Sequence, residues 1–280
     1  MADISISEQD FLIFREYFYR KTGIHFETNK RYFVDKRLVE RIKETGATSF
    51  QNYFRMVRFE ASGTEFQSLV NIMTVNESYF FREEYQFKCL VNSMLSEITK
   101  NKTDKAPIRI WSVPSSSGEE AYSIVIYLLE HWPDIDKWDI EIISSDIDTD
   151  ILNRARQGIY SPRSVQHLPP ELLKKYFKPS GAGYQICDDL RQAVEFTRVN
   201  LMDVDDVRAY RGFDVIFCRN LLIYFDDVSR RQAAETFFDA LKPNGFVCLG
   251  HSESMSRISS LFKVRKFPEG IVYQKPEVNK

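Results

Sequence analysis

Long apolar runs are missing from this 280-residue chain: no segment approaches the ~18 uninterrupted apolar residues of a membrane-spanning helix, so bilayer insertion is not expected. The first residues, MADISISEQD, lack the basic stretch and following apolar stretch of a secretory leader, which predicts a cytoplasmic protein. Neither the cysteines (Cys89, Cys187, Cys218, Cys248) nor the histidines (His25, His131, His167, His251) show metal-ligand or disulfide spacing. No metal is therefore predicted, and the thiols read as buried groups of a reducing compartment. Charge of one sign is not in excess. A formal net charge of −2 gives no general attraction to nucleic acid or membrane and leaves charge-based recognition to local patches. There is no internal repeat, no low-complexity stretch and no G-x-G-x-x-G, the last of which counts against a dinucleotide dehydrogenase. With 43% hydrophobic residues the chain can build a substantial core, as one large domain or two modest ones.

What is present is concentrated at residues 108–123, IRIWSVPSSSGEEAYS, where a short apolar strand runs through a Ser/Gly loop into a helical pattern. Small residues at Ser115, Ser116, Ser117 and Gly118 let a ligand approach the backbone at a helix N-terminus. Glu119 and Glu120 set the sign of that ligand. Phosphates call for N–H groups and a nearby cation, whereas two carboxylates favour an amino group or a sulfonium, and S-adenosylmethionine carries both. Glutamates in a first helical turn are also common for their interaction with the helix dipole alone. A second signal lies one βαβ unit further on, where the run 140–143 ends in SSDID. Asp146 stands at the strand tip, where an acidic residue receives ribose hydroxyls, while Asp148 or Asp150 caps the next helix.

Residues 1–75 show helical periodicity and no convincing strand: Phe11, Phe14, Phe18; Val34, Leu38, Ile42; Tyr53, Phe54, Val57; and Phe66, Leu69, Val70. Breaks at Gly23, Gly46 and Gly63 separate these helices, and Thr48 or Ser49 is a plausible N-cap for the third. From residue 108 the pattern changes to strands alternating with helices, at 108–112, 140–144, 194–199, 213–218 and 246–250. A terminal pair near 262–267 and 271–274 is joined by Pro268, Glu269 and Gly270. This predicts an α/β fold with a mostly parallel sheet ending in an antiparallel edge hairpin, which suits a methyltransferase better than a dehydrogenase. Residues 160–191 fit neither pattern, with several prolines and glycines around a short helix near 171–177 and a strand at 184–187. So long an excursion reads as an inserted subdomain able to carry a partner site.

Four segments in order, NESYFFRE (76–83), IWSVPSSSGEEAYSI (110–124), SSDIDTDILNRARQGIY (144–160) and FDVIFCRNLLIYFD (213–226) followed by LKPNGFVCLGHSES (241–254), resemble the CheR family of chemotaxis receptor glutamate methyltransferases. The resemblance implies a Rossmann-like S-adenosylmethionine domain over 76–280, an inserted β subdomain at about 160–198, and an N-terminal helical receptor-contacting domain over 1–75. It also implies S-adenosylmethionine as cofactor and S-adenosylhomocysteine as product. Asn76, Ser78 and Arg82 would lie beside the cofactor and the methyl-accepting carboxylate, Ser78 standing where the family often has Thr. At least one of Glu119 and Glu120 would contact the methionine end, and Asp146 would hold the ribose. Asn200 with Leu201, and Arg219 with Asn220, would complete the pocket, and Tyr224 matches the family's active-site tyrosine. The sequence departs from the family at Val113 and Pro114, where a small residue or Gly is usual, and at Ala121, often Pro.

The implied reaction is in-line attack of a glutamate carboxylate on a sulfonium methyl. A carboxylate is ionised at cytoplasmic pH, so no general base is required, and proximity and alignment carry the catalysis. Arg82 would position the carboxylate and Tyr224 would orient it or the methyl group. Lys30, Arg37 and Arg41 fall near one face of a helix, a solvated face in the ordinary reading. In the functional one they dock on the acidic cytoplasmic helical bundle of a methyl-accepting receptor. The inserted subdomain is a candidate site for a receptor's C-terminal peptide. Two other classes fit the residues alone: a catalytically weak S-adenosylmethionine-binding scaffold, or a small-molecule methyltransferase that leaves the N-terminal domain without a use.

Overall fold

The computed structural model describes residues 4–102 and 106–277. Helix α1 (Glu8–Thr22) begins at Ser7, whose hydroxyl accepts the Asp10 N–H at 3.1 Å while the Asp10 carboxylate accepts the Ser7 N–H at 3.1 Å. It stops at Gly23, whose φ of 72° lies in the left-handed region open to glycine. Helices α2 (Arg31–Glu44), α3 (Phe50–Phe59, capped by Ser49) and α4 (Thr64–Met73) complete the N-terminal unit. Their predicted apolar stripes meet in one core containing Phe14, Phe18, Val34, Leu38, Ile42, Tyr53, Leu69 and Val70.

That core also holds a charged pair, which corrects the reading of α2 as a basic docking face. Arg41 grips Glu65 through two hydrogen bonds of 3.0 and 2.6 Å, and the Tyr53 hydroxyl donates to the same carboxylate at 2.7 Å. Arg37 donates to the Ile72 carbonyl, with its guanidinium 3.5 Å from the centroid of the Phe33 ring. Lys30 precedes the helix and lines a cleft described below. The three residues therefore do not share a free cationic face, and α2 exposes Tyr32, Lys36, Glu40, Lys43 and Glu44 instead. Arg41→Ala leaves the Glu65 carboxylate buried without its cation, and chemical denaturation should show a loss of about 3–5 kcal/mol.

Helix α5 (Tyr85–Cys89) continues through a π turn (Leu90–Met94) into α6 (Leu95–Asn101). The main sheet comprises β1 (Ile108–Ser112), β2 (Ile140–Asp146), β6 (Val194–Arg198), β7 (Phe213–Cys218), β8 (Leu241–Leu249), β9 (Lys263–Lys266) and β10 (Ile271–Gln274). Its order is β6-β2-β1-β7-β8-β10-β9. The first five strands run parallel, and β10 pairs antiparallel with both β8 and β9, the expected edge hairpin. Strand β7 is buried along its whole length, the pattern of a strand covered on both faces. Helix α7 (Glu119–His131) packs in the core on one face and the helix Asp227–Ala240 in the core on the other. Strand β8 begins five residues before the apolar run at Phe246. An irregularity in its pairing with β7 lets Leu241 pair with Phe213, and Asn244 adopts a φ of 65°.

The insertion folds as a three-stranded sheet of β3 (Ile159–Tyr160), β5 (Gly183–Ile186) and β4 (Phe177–Ser180). It closes before Val194 rather than near residue 198, because Val194 and Phe196 point into the main core and their strand pairs with β2. Phe80 fixes it in place: its N–H donates to the Ser164 carbonyl at 2.9 Å, and its ring meets Tyr160 and Phe177 edge-on. Among the described residues, no helix is long and apolar enough to cross a membrane.

Candidate active site at the carboxyl ends of the parallel strands

Strand order reverses between β1 and β7, and ligands of open α/β sheets bind outside the carboxyl ends of the strands at such a point. A cleft of about 570 Å³ opens there. Its floor is the loop after β1. The Ser115 N–H donates to the Ser145 carbonyl at 2.6 Å, and the Ser116 N–H donates to the Asp146 carboxylate at 2.8 Å. The missing N–H of Pro114 costs this loop none of those anchors; Val113 and Pro114 both line the cleft, and Val113 also packs in the core. The other Asp146 oxygen accepts the Asp148 N–H at 3.0 Å, and Asp148 caps the following helix, α8 (Thr149–Gln157). Burial pushes the Asp146 carboxyl up to about 7, against the pull of these N–H bonds.

The adjacent glutamates part company. Glu120 lines the cleft, accepts the Ser112 hydroxyl at 2.8 Å and pairs with Arg219 at 3.0 Å. Glu119 is turned away from the cleft into the base of the inserted subdomain, where the Ser117 hydroxyl donates to it. Burial raises its carboxyl above the ordinary value. Its assignment to the cofactor is corrected accordingly: neighbouring helical residues point about 100° apart, and of this pair only Glu120 lines the cleft.

Arg219 ties three motifs together. Besides Glu120 it reaches Glu83 at 3.6 Å, donates to the Arg82 carbonyl, and lies over the Phe87 ring at 5.5 Å. Asn76, Ser78, Arg82, Asn200, Leu201, Asn220 and Tyr224 all line the same cleft. Asn76 donates to Asp148 at 2.7 Å, and Asn200 donates to the Lys21 carbonyl at 2.6 Å, joining the two domains. Arg82 donates to the Glu77 carbonyl at 3.1 Å. Tyr224 is half-exposed to the cleft, and burial, reinforced by Glu77 and opposed by Arg82, raises its phenol above the ordinary value. Left-handed backbone gathers here: Phe81 (φ 60°), Glu83 (52°), Ser116 (49°) and Asn220 (59°) all belong to the segments that form the site.

Sequence reasoning missed one wall. Residues 22–33 of the N-terminal unit, among them Ile24, His25, Phe26 and Phe33, line the cleft opposite the sheet. The His25 N–H donates to the Tyr224 carbonyl at 3.0 Å, Ile24 pairs with Phe225 as an isolated β-bridge, and the Tyr19 hydroxyl donates to Asp226 at 2.9 Å. These contacts use backbone and apolar groups, and no motif advertises them.

A parallel sheet with antiparallel closing strands and an acidic, serine-rich cleft at its switch point defines the class, an S-adenosylmethionine-dependent methyltransferase. The profile of the CheR methyltransferase SAM-binding domain matches residues 76–271, and that of the CheR all-alpha domain matches residues 9–74. The chain belongs to the CheR methyltransferase family. It is 56% identical to chemotaxis protein methyltransferase 2 of Vibrio cholerae, over 100% of this chain and 97% of the relative. It is 36% identical to chemotaxis protein methyltransferase 2 of Pseudomonas aeruginosa (92% and 90% covered) and 32% identical to the Escherichia coli chemotaxis protein methyltransferase (94% and 90% covered). The residues present fit the cofactor. The Ser115 and Ser116 hydroxyls are buried at the cleft without hydrogen-bond partners, and two carboxylates, Glu120 and Asp146, stand at separate points of its lining.

Proposed function

We propose that the protein transfers the methyl group of S-adenosylmethionine to glutamate carboxylates on the cytoplasmic helical bundle of methyl-accepting chemotaxis receptors, giving glutamate methyl esters and S-adenosylhomocysteine. The observation that carries this reading is the pairing of Arg82 with Tyr224 in one cleft, a cation and a phenol suited to a carboxylate. When bound, the cofactor supplies an electrophilic methyl group on a sulfonium. Asp146 receives the ribose hydroxyls, Glu120 the methionine ammonium, and Asn76, Ser78, Asn200, Leu201, Arg219 and Asn220 complete the enclosure. Arg82 holds one oxygen of the incoming carboxylate, and Tyr224, kept as a neutral phenol, orients the reacting partners. Opposite charges cancel as the ester forms, so a site shielded from water by the N-terminal wall favours the reaction.

An acidic bundle is met by Lys30 at the cleft and by Lys36 and Lys43 on the exposed face of α2. The open edges of the inserted sheet offer backbone groups to an extended receptor C-terminal peptide. The test is incubation of a receptor cytoplasmic fragment with methyl-labelled S-adenosylmethionine. Base-labile label should appear on the fragment, vanish when the acceptor glutamates are changed to glutamine, and fall with rising salt or in a Lys36→Glu, Lys43→Glu double variant. Cofactor binding without any labelled receptor would instead favour the scaffold reading.

A further inference from the structure

One carboxylate outside the cleft controls the turn that follows β7. Glu253, in the loop after β8, accepts the Asn220 N–H at 2.9 Å and the Gly250 N–H at 2.8 Å on one oxygen, and the Leu222 N–H at 2.8 Å on the other. The carboxylate thereby bolts the end of β8 to the turn that carries Asn220 and Tyr224. Asn220 has a φ of 59°, a left-handed conformation that asparagine tolerates better than most residues, and the bonds from the Asn220 and Leu222 N–H groups to this one carboxylate fix the turn on either side of it. Gly250 makes the approach feasible: a Cβ there would lie 2.8 Å from a Glu253 oxygen and 3.0 Å from the Asn220 nitrogen.

We infer that Glu253 is a positioning residue for both halves of the site, holding Asn220 toward the cofactor and Tyr224 toward the methyl acceptor. The inference rests on the roles given above to Asn220 and Tyr224. Both oxygens of the carboxylate are used, so glutamine, though equal in size, must turn an NH₂ group toward a backbone N–H and forfeit at least one bond.

The decisive experiment compares wild type, Glu253→Gln and Gly250→Ala by calorimetric titration with S-adenosylhomocysteine, steady-state kinetics on a receptor fragment, and thermal melting. Folded Glu253→Gln protein should bind S-adenosylhomocysteine about tenfold or more weakly, with a matching rise in KM for S-adenosylmethionine and a further fall in kcat. Gly250→Ala, which displaces the same carboxylate sterically, should reproduce the pattern. Wild-type Kd, KM and kcat in both variants would overturn the inference, as would a lowered melting temperature with Kd and KM unchanged, the mark of a purely structural residue. If the wild type methylates no receptor fragment, the receptor reading fails, and the Kd comparison still decides the role of Glu253.

Discussion

Asp146→Ala is expected to weaken S-adenosylhomocysteine binding by about a hundredfold or more in calorimetry. Three losses coincide in that one change: the proposed acceptor for the ribose hydroxyls, the anchor of the Ser116 N–H at 2.8 Å, and the anchor of the Asp148 N–H at 3.0 Å. Hydrogen bonds to charged groups contribute about 1.5–3 kcal/mol each, and about 2.7 kcal/mol is a hundredfold in affinity. The carboxyl also imposes a pH signature, because burial pushes it up to about 7 from the ordinary 3.8. In the proposed role its ionised form accepts ribose hydroxyls, so affinity should rise with pH through 7, weaker at pH 6 than at pH 8 by about tenfold, and then level off. Stability of the unliganded protein should run the other way. Between about 4 and 7 the folded state holds a proton that the unfolded state has released, so stability falls as pH rises across that window. Asp146→Asn should remove both dependences, and a mutant that kept the affinity rise would place the titrating group elsewhere.

The second large effect concerns Arg82. Arg82→Lys should lower kcat/KM on a receptor fragment by about a hundredfold, and Arg82→Ala by more. Lysine keeps the charge but loses the planar fork that presents paired N–H groups to a carboxylate, and a misplaced nucleophile forfeits the proximity on which the reaction depends. Arg82 sits between Phe81 and Glu83, both in left-handed backbone. That strain is held by local contacts: the Phe81 N–H donates to Ser123 at 3.1 Å, and Glu83 receives Gln86 at 2.9 Å. The direction in which Arg82 leaves the chain is thus set before substrate arrives. A lysine variant with wild-type kcat/KM would show that the side chain serves only as a charge.

How much of this was legible in the chain depended on the range of the interaction involved. The loop 115–120 and Asp146 could be read directly, since a strand, small residues, a carboxylate and a helix start are all local events. The apolar stripes of α1 to α4 and the alternation from β1 onward were equally plain, because periodicity reports burial whatever the partner turns out to be. Arg37 and Arg41 were misread as a free face for the opposite reason: the Ile72 carbonyl and Glu65 lie 35 and 24 residues away, and only helix packing brings them together. The choice between Glu119 and Glu120 likewise waited on the rotation of α7 against the sheet.

The sequence by itself determined the element types, the parallel sheet with its closing hairpin and the inserted subdomain, all of which follow from short-range pattern and residue type. Tertiary structure alone decided which charges are already spent on one another, which glutamate faces the cleft, and that residues 22–33 wall the site and hold Tyr224 from outside. It also decided that the Glu253 carboxylate supports the turn from behind. Backbone donors and buried ion pairs leave no periodic trace, so their partners exist only once the chain has folded.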